Sequence, residues 1–263
     1  MEIPASRWYS EIPKRRSRRQ FDSKPVDPDH LARLRSVCAE FKPFPHARAV
    51  LVAESPDRLF KGIIGPFGRI KGASSFVAFI GNMESPYVQE EIGYMGEGIL
   101  LEATALQLAT CWVGGFFRPD VAAAVAGTGK NERVLAVTPV GYAKESQSIE
   151  ERLMTGFGRS HQRKRLSSLV TGLQDTEWSA WIRAALEAAR LAPSAVNRQP
   201  WRFYVERDNI TVSVSGPGTE FSVAKRLDCG IAMLHIEVAA LNYGIQGEWE
   251  FLKAPQVARF RIS

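Results

Sequence analysis

An order of elements that occurs twice constrains this chain more than any other feature. Leu34, Val37, Cys38 and Phe41 fall at helical spacing, a loop with Pro43 and Pro45 follows, and Val50 to Ala53 reads as a strand. Later, Ile182, Ala185, Leu186 and Ala189 repeat the helix, the stretch from Pro193 to Pro200 repeats the loop, and Trp201, Phe203 and Val205 alternate as in a strand. Phe76 to Ile80 then matches Thr211 to Ser215. The helix carrying Glu102, Ala103, Ala105, Leu106 and Leu108 matches Glu237, Val238, Ala240, Leu241 and Tyr243, all at an offset of 135 residues. Two similar halves in one chain imitate a homodimer. The expected division is 1–168 and 169–263, with Leu135 to Val140 a strand and the polar stretch from Ala143 to Ser168 the connection. Few strands, several helices and no strictly alternating βαβ units favour an α+β layered fold.

Composition narrows the function classes. The 263 residues, 45% hydrophobic and 24% charged, suffice for one large domain or two small ones. The polar start, Met1 to Ser10, lacks the apolar core of a secretory signal, and the longest apolar stretch, Gly98 to Phe117, is broken by Glu102 and Gln107. The chain therefore reads as soluble, with no membrane partner. Three widely spaced cysteines, Cys38, Cys111 and Cys229, form no CxxC pair and suit a reducing, cytoplasmic compartment. His30, His46, His161 and His235 are isolated, so no metal site is expected. The formal charge of +6 invites an anionic partner, nucleic acid or a phosphate-bearing cofactor.

Three motifs carry chemistry. In Arg15-Arg16-Ser17-Arg18-Arg19-Gln20-Phe21, guanidinium forks and a hydroxyl suit a phosphate, although a nucleic-acid arm or a solvated charge run has the same look. In Pro193-Ser194-Ala195-Val196-Asn197-Arg198-Gln199-Pro200-Trp201, the Asn197 and Gln199 amides each offer a donor and an acceptor, the combination a flavin's polar edge and ribityl chain need. A proline-braced loop alone accounts for the prolines but not for the amides. The third, Thr110-Cys111-Trp112-Val113-Gly114-Gly115-Phe116-Phe117, closes the apolar helix, and its paired glycines admit a flat ring against the backbone. A helix cap explains one of those glycines equally well.

Together with the later strand Thr138-Pro139-Val140-Gly141-Tyr142, these motifs resemble the FMN-dependent nitroreductase family over most of the chain. The order departs from that of the family it resembles, in which the PSxxNxQPW loop normally follows the arginine motif within about thirty residues. Here it lies in the second half, and the first-half counterpart reads Lys42-Pro43-Phe44-Pro45-His46-Ala47-Arg48. The departure is similar to the putative TM nitroreductase subgroup, in which one chain mimics the family dimer and each half supplies part of one flavin site. The resemblance implies that Arg15, Arg16, Ser17, Arg19, Gly114 and Gly115 come from the first half and Pro193, Ser194, Asn197 and Gln199 from the second. The symmetry-related site is expected empty. A basic pair after the GY strand, Arg163 and Arg165, matches the family's further phosphate contacts, and the loop from Gly65 to Gly72 with Arg69 and Lys71 borders the ring or is an ordinary turn.

The activity so implied is transfer of electrons from NAD(P)H through FMN to a small acceptor such as a nitroaromatic or quinone, in ping-pong fashion. The flavin carries the chemistry, and no acid or base side chain is assigned. In the implied roles, Arg15, Arg19, Arg163 and Arg165 meet phosphate, Ser17 and Asn197 phosphate or ribityl, Gln199 the ring edge, and the N–H near Gly114 flavin N5. The alternative from another class is a non-catalytic flavoprotein that stores, delivers or senses FMN. A nucleic-acid partner needs a binding module or stacking platform that the sequence lacks.

Overall fold

A computed structural model describes residues 1–63, 69–144, 162–216, 219–220 and 223–263. Arg159, part of the Gly65 to Gly72 loop and the middle of the expected connection lie outside the described residues. In chain order the helices are α1 (Ala5–Glu11), α2 (Pro28–Glu40), α3 (Asp57–Phe60), α4 (Val88–Ala105), α5 (Pro119–Ala126), α6 (Ala180–Arg190) and α7 (Lys225–Asn242). The strands are β1 (Ala47–Val52), β2 (Ser75–Asn82), β3 (Ala109–Thr110), β4 (Glu132–Gly141), β5 (Val170–Gly172), β6 (Trp201–Val205), β7 (Asn209–Val214), β8 (Thr219–Glu220), β9 (Val223–Ala224), β10 (Gly247–Phe251) and β11 (Gln256–Ile262).

Local chemistry sets several boundaries. Asp27 caps α2 by accepting from the Asp29 and His30 N–H groups, and Pro28 fills the first helical position, where no donor is needed. After α4, Gln107 turns to φ 60° and ends the helix, so Thr110 lies in β3 and the Cys111–Phe117 motif follows a strand instead of closing the helix. In β2, Val77 and Phe79 face one core while Phe76, Ala78 and Ile80 face a second core with Phe60, Ala122 and Val137. Burial on both faces explains why this strand reads as a continuous apolar run, not an alternating one.

The two main sheets share one plan. The first runs β1-β2-β4-β3, antiparallel throughout; the second contains β6-β7-β11-β10 in the corresponding order, also antiparallel, with β5 added parallel to β6 at its edge. Between them α4 and α7, the most extensively packed pair of elements, cross backbone on backbone. A Cβ on Gly93 would lie 2.0 Å from the Leu227 carbonyl oxygen, and one on Gly230 would lie 2.1 Å from that of Glu90. Only glycine permits such an approach. The contact is reciprocal, as in an isologous interface.

Around this crossing several features lie 137 residues apart: Gly93 and Gly230, the starts of α4 and α7, the left-handed residues Gln107 and Gly244, and Trp112 and Trp249. Helix α4 is buried on nearly every face, so its apolar pattern has no strong period with which to fix a register.

Candidate active site

After α1 the chain from Arg15 to Phe21 runs extended along the edge of the first sheet. Ser17 pairs with Thr110, the Arg18 N–H donates to the Thr110 carbonyl at 2.8 Å, and Arg19 and Phe21 bond across to Lys71. This laces the arginine segment beside the turn that follows β3. From the other side comes the loop between α6 and β6, which contains a single 3₁₀ turn, Ala195–Asn197. Val196, Asn197 and Gln199 all hold positive φ, at 48°, 55° and 48°. That conformation is costly for a β-branched residue such as Val196 and persists only where surrounding contacts dictate it.

These segments enclose one cleft with about 970 Å³ of space, part of it open to solvent. Ser17, Arg19, Gly114 and Gly115 line it from one side, and Pro193 and Ser194 from the other. Apolar walls come from Phe60, Ile63, Ile70, Phe116, Val223, Leu227 and Ile231. A mostly apolar cleft with a few convergent polar groups is the usual form of a cofactor site.

Beside the cleft, cations crowd together. Arg15 is 5% exposed, its Nε 3.4 Å from Glu97 Oε1, and its Nη1 is buried without a partner among the described residues. Burial, followed by the charges of Arg15, Arg16 and Arg190, pushes the Arg163 guanidinium down to about 10. Four guanidinium groups held this close repel one another and favour an anion. Arg16 itself is exposed and donates to the Pro13 and Arg15 carbonyls; Arg165 is exposed and does not line the cleft.

The two amides sit differently from the flavin-edge assignment made for Gln199. Neither lines the cleft. Asn197 Oδ1 accepts from Arg163 at 2.8 Å and its Nδ2 donates to the Gln162 carbonyl. Gln199, 4% exposed, accepts from the Lys164 N–H at 2.8 Å and donates to the carbonyls of Gln162 and Asn197. Both knit the 162–164 segment to the loop, so their effect at the cleft passes through Arg163. Ser194 reinforces the same loop by accepting from the Gln199 N–H.

Sequence reasoning passed over three buried groups. Asp228 borders the cleft, paired with Arg198 at 2.7 Å and accepting from the Ala195 N–H. Burial pushes its carboxyl up to about 6 despite the opposing pull of Arg198. Glu97 and His235, each fully buried, bond to one another at 3.0 Å. The signal was present, since an acid inside an all-round apolar helix must be partnered to be tolerated there.

Fold and cleft together are those of a mixed α+β protein of nitroreductase type. Residues 8–240 match the family described as Putative TM nitroreductase, and the chain belongs to that family and with it to the nitroreductase-type oxidoreductases. It is similar to a putative nitroreductase from Thermotoga maritima, with 17% identity and a TM-score of 0.66 over 97% of this chain and 93% of that one, which shows a shared fold. A nitroreductase with bound FMN from Bacteroides fragilis matches 54% of this chain and 91% of its own, at 17% identity and a TM-score of 0.44. A nitroreductase family protein from Clostridium novyi matches 55% of this chain and 87% of its own, at 21% identity and a TM-score of 0.44. No curated protein matches the sequence significantly. Among the described residues no helix is long and apolar enough to cross a membrane.

Proposed function

We propose that the chain binds one FMN in this cleft and acts as an NAD(P)H-dependent reductase of small acceptors, each half (1–168 and 169–263) supplying part of the site as two subunits of a dimer would. One observation carries the reading: a single cleft is lined by Ser17, Arg19, Gly114 and Gly115 from one half and by Pro193 and Ser194 from the other. The residues also fit the group. The buried, unpartnered Arg15 Nη1 and the Arg15, Arg16, Arg163 and Arg190 cluster suit its phosphate, while the Gly114–Gly115 turn leaves backbone N–H groups for the ring. Asn197 and Gln199 hold Arg163 and its segment in place for that phosphate. Bound FMN supplies two-electron transfer from a nicotinamide to an acceptor such as a quinone or nitroaromatic. The apolar walls exclude water and select flat partners, which enter one cleft in turn.

Support for a single site comes from the place 137 residues away from the cleft across the α4–α7 crossing. Where the cleft has Gly114 and Ile231, that place has Phe251 and Tyr94. Tyr87 and Phe251 stack at 5.0 Å, and Phe44 lies 5.2 Å from Phe251 and 5.1 Å from Tyr94. Aromatic rings occupy the position in which a flavin would lie.

The test is flavin stoichiometry and turnover. Purified protein should release about one FMN per chain, a count that follows from one complete set of site residues. A count near two overturns the single-site reading, and haem or a metal in place of flavin overturns the function. NADH or NADPH should bleach the flavin without oxygen, a quinone should restore its colour, and steady-state rates should give parallel double-reciprocal lines. Flavin that neither nicotinamide bleaches, and that no acceptor reoxidises after dithionite reduction, would mark a carrier instead.

A further inference from the structure

We infer that Glu97 is a positioning residue that sets the phosphate arginine and ties it to the other parts of the cleft, an inference that rests on the FMN reading above. Glu97 lies in α4 and is wholly buried. Such a carboxylate is tolerated only when polar or charged partners surround it, and its partners come from three separate pieces of the site. Arg15, from the arginine motif, places Nε 3.4 Å from Oε1. Trp112, next to the Val113–Gly115 turn, donates its Nε1–H to Oε2 at 2.7 Å. His235, on α7 of the other half, places Nε2 3.0 Å from Oε1.

The connection continues past the histidine. His235 Nδ1 faces the Ala188 carbonyl at 2.8 Å, so the ring bridges Glu97 and α6. Ala188 lies in α6, immediately before the loop from Pro193 to Gln199. A continuous polar path therefore runs from the phosphate arginine, through Glu97 and His235, to the base of the opposite half's loop, with a branch to the ring-side turn. A buried acid with a purely local role would need partners in its own layer only. Among the described residues Arg15 Nη1 has no partner, so Glu97 fixes the guanidinium from one side and leaves the other side for an anion.

The two branches make different demands on two ligands. Riboflavin has the ring and ribityl chain of FMN but no phosphate. Glu97→Gln keeps an oxygen for Trp112 and removes the charge that orients Arg15. It should therefore weaken FMN about tenfold, the scale of one charged hydrogen bond, and leave riboflavin affinity unchanged in equilibrium titrations. In an Arg15→Ala background, Glu97→Gln should have no further effect on FMN. Trp112→Phe removes the bond to Glu97 Oε2 while keeping a ring on the cleft wall, and should weaken FMN and riboflavin by the same factor. This second variant keeps the inference open to refutation if Glu97→Gln does not fold. Equal loss of both ligands in Glu97→Gln, additive effects with Arg15→Ala, or unchanged binding in Trp112→Phe would each overturn it while leaving the FMN site intact. A wild-type chain that binds neither ligand would overturn both readings.

Discussion

The cleft and the place 137 residues away from it across the α4–α7 crossing carry different side chains. Each is bounded by a helix of the central pair, by a loop that leads into the first strand of a sheet, and by the turn or strand that carries Trp112 or Trp249. One has Gly114 and Ile231, with strained backbone at Val196; the other has Phe251 and Tyr94, packed with Tyr87 and Phe44. The charges part in the same way. Arg15, Arg16, Arg163 and Arg190 gather beside the cleft, whereas at the counterpart Arg226 is engaged by Glu90 and by the Leu252, Gln256 and Val257 carbonyls. The lesson is that small residues and a local gathering of cations, against aromatic rings at the other place, decide whether space is kept open.

Exchanging the two characters should have the largest effect. Gly114→Phe puts the counterpart's residue into the cleft, where even a Cβ would lie 3.0 Å from Val223. Loss of FMN binding by at least about a hundredfold is expected from overpacking in a space already filled, with circular dichroism unchanged. A yellow, fully loaded Gly114→Phe protein would break the comparison. Opening the counterpart should act on stability alone. Phe251→Ala removes a half-buried ring packed on Tyr87 and Phe44, and should cost about 2 kcal/mol in urea unfolding from lost burial and ring contact. Its FMN content should stay at the wild-type value.

Arg15→Ala, followed by flavin titration, should weaken FMN roughly ten- to hundredfold, the equivalent of about 1.5–3 kcal/mol for a charged hydrogen bond. Asn197→Ala, which releases Arg163 without touching the cleft wall, should fall at the lower end of that range. The smallest effect concerns pH. The Asp228 carboxyl is raised from an ordinary 3.8 to about 6, so the folded chain holds an extra proton in that window and stability falls as pH rises through it. Asp228→Asn lacks this dependence. Thermal melts should show the variant gaining on wild type between pH 4 and pH 6; a pH-independent difference would mean that Asp228 is ionised throughout.

Much of the site could be read from the sequence because its chemistry is local and chemically loud. Arginines packed around Ser17, amides between prolines, and paired glycines after a tryptophan each announce a demand that ordinary core or surface does not make. The meeting of Ser17 and Ser194 in one cleft was legible only through the family resemblance, since no pattern within either half points to the other. What stayed hidden depends on side-chain direction and on register. Asn197 and Gln199 turn toward residues 162–164, a choice dictated by the positive φ angles of their loop. Helix α4, apolar on almost every face, has no strong period from which a register could be read. Glu97 and Asp228 were visible as acids in apolar helices, but their partners lie far away in sequence, on Arg15 and Arg198.

The crossing at Gly93 and Gly230 also governs when the site comes into being. Its two backbones belong to segments separated by more than half of the chain, and closing so long a loop must precede every contact that rewards it. A ribosome that has released the arginine motif and the glycine turn has made only half a cleft, because Leu227, Asp228 and Ile231 are still to come. The cleft is therefore complete only late in synthesis, and a chain cut short before α7 lacks one of its walls.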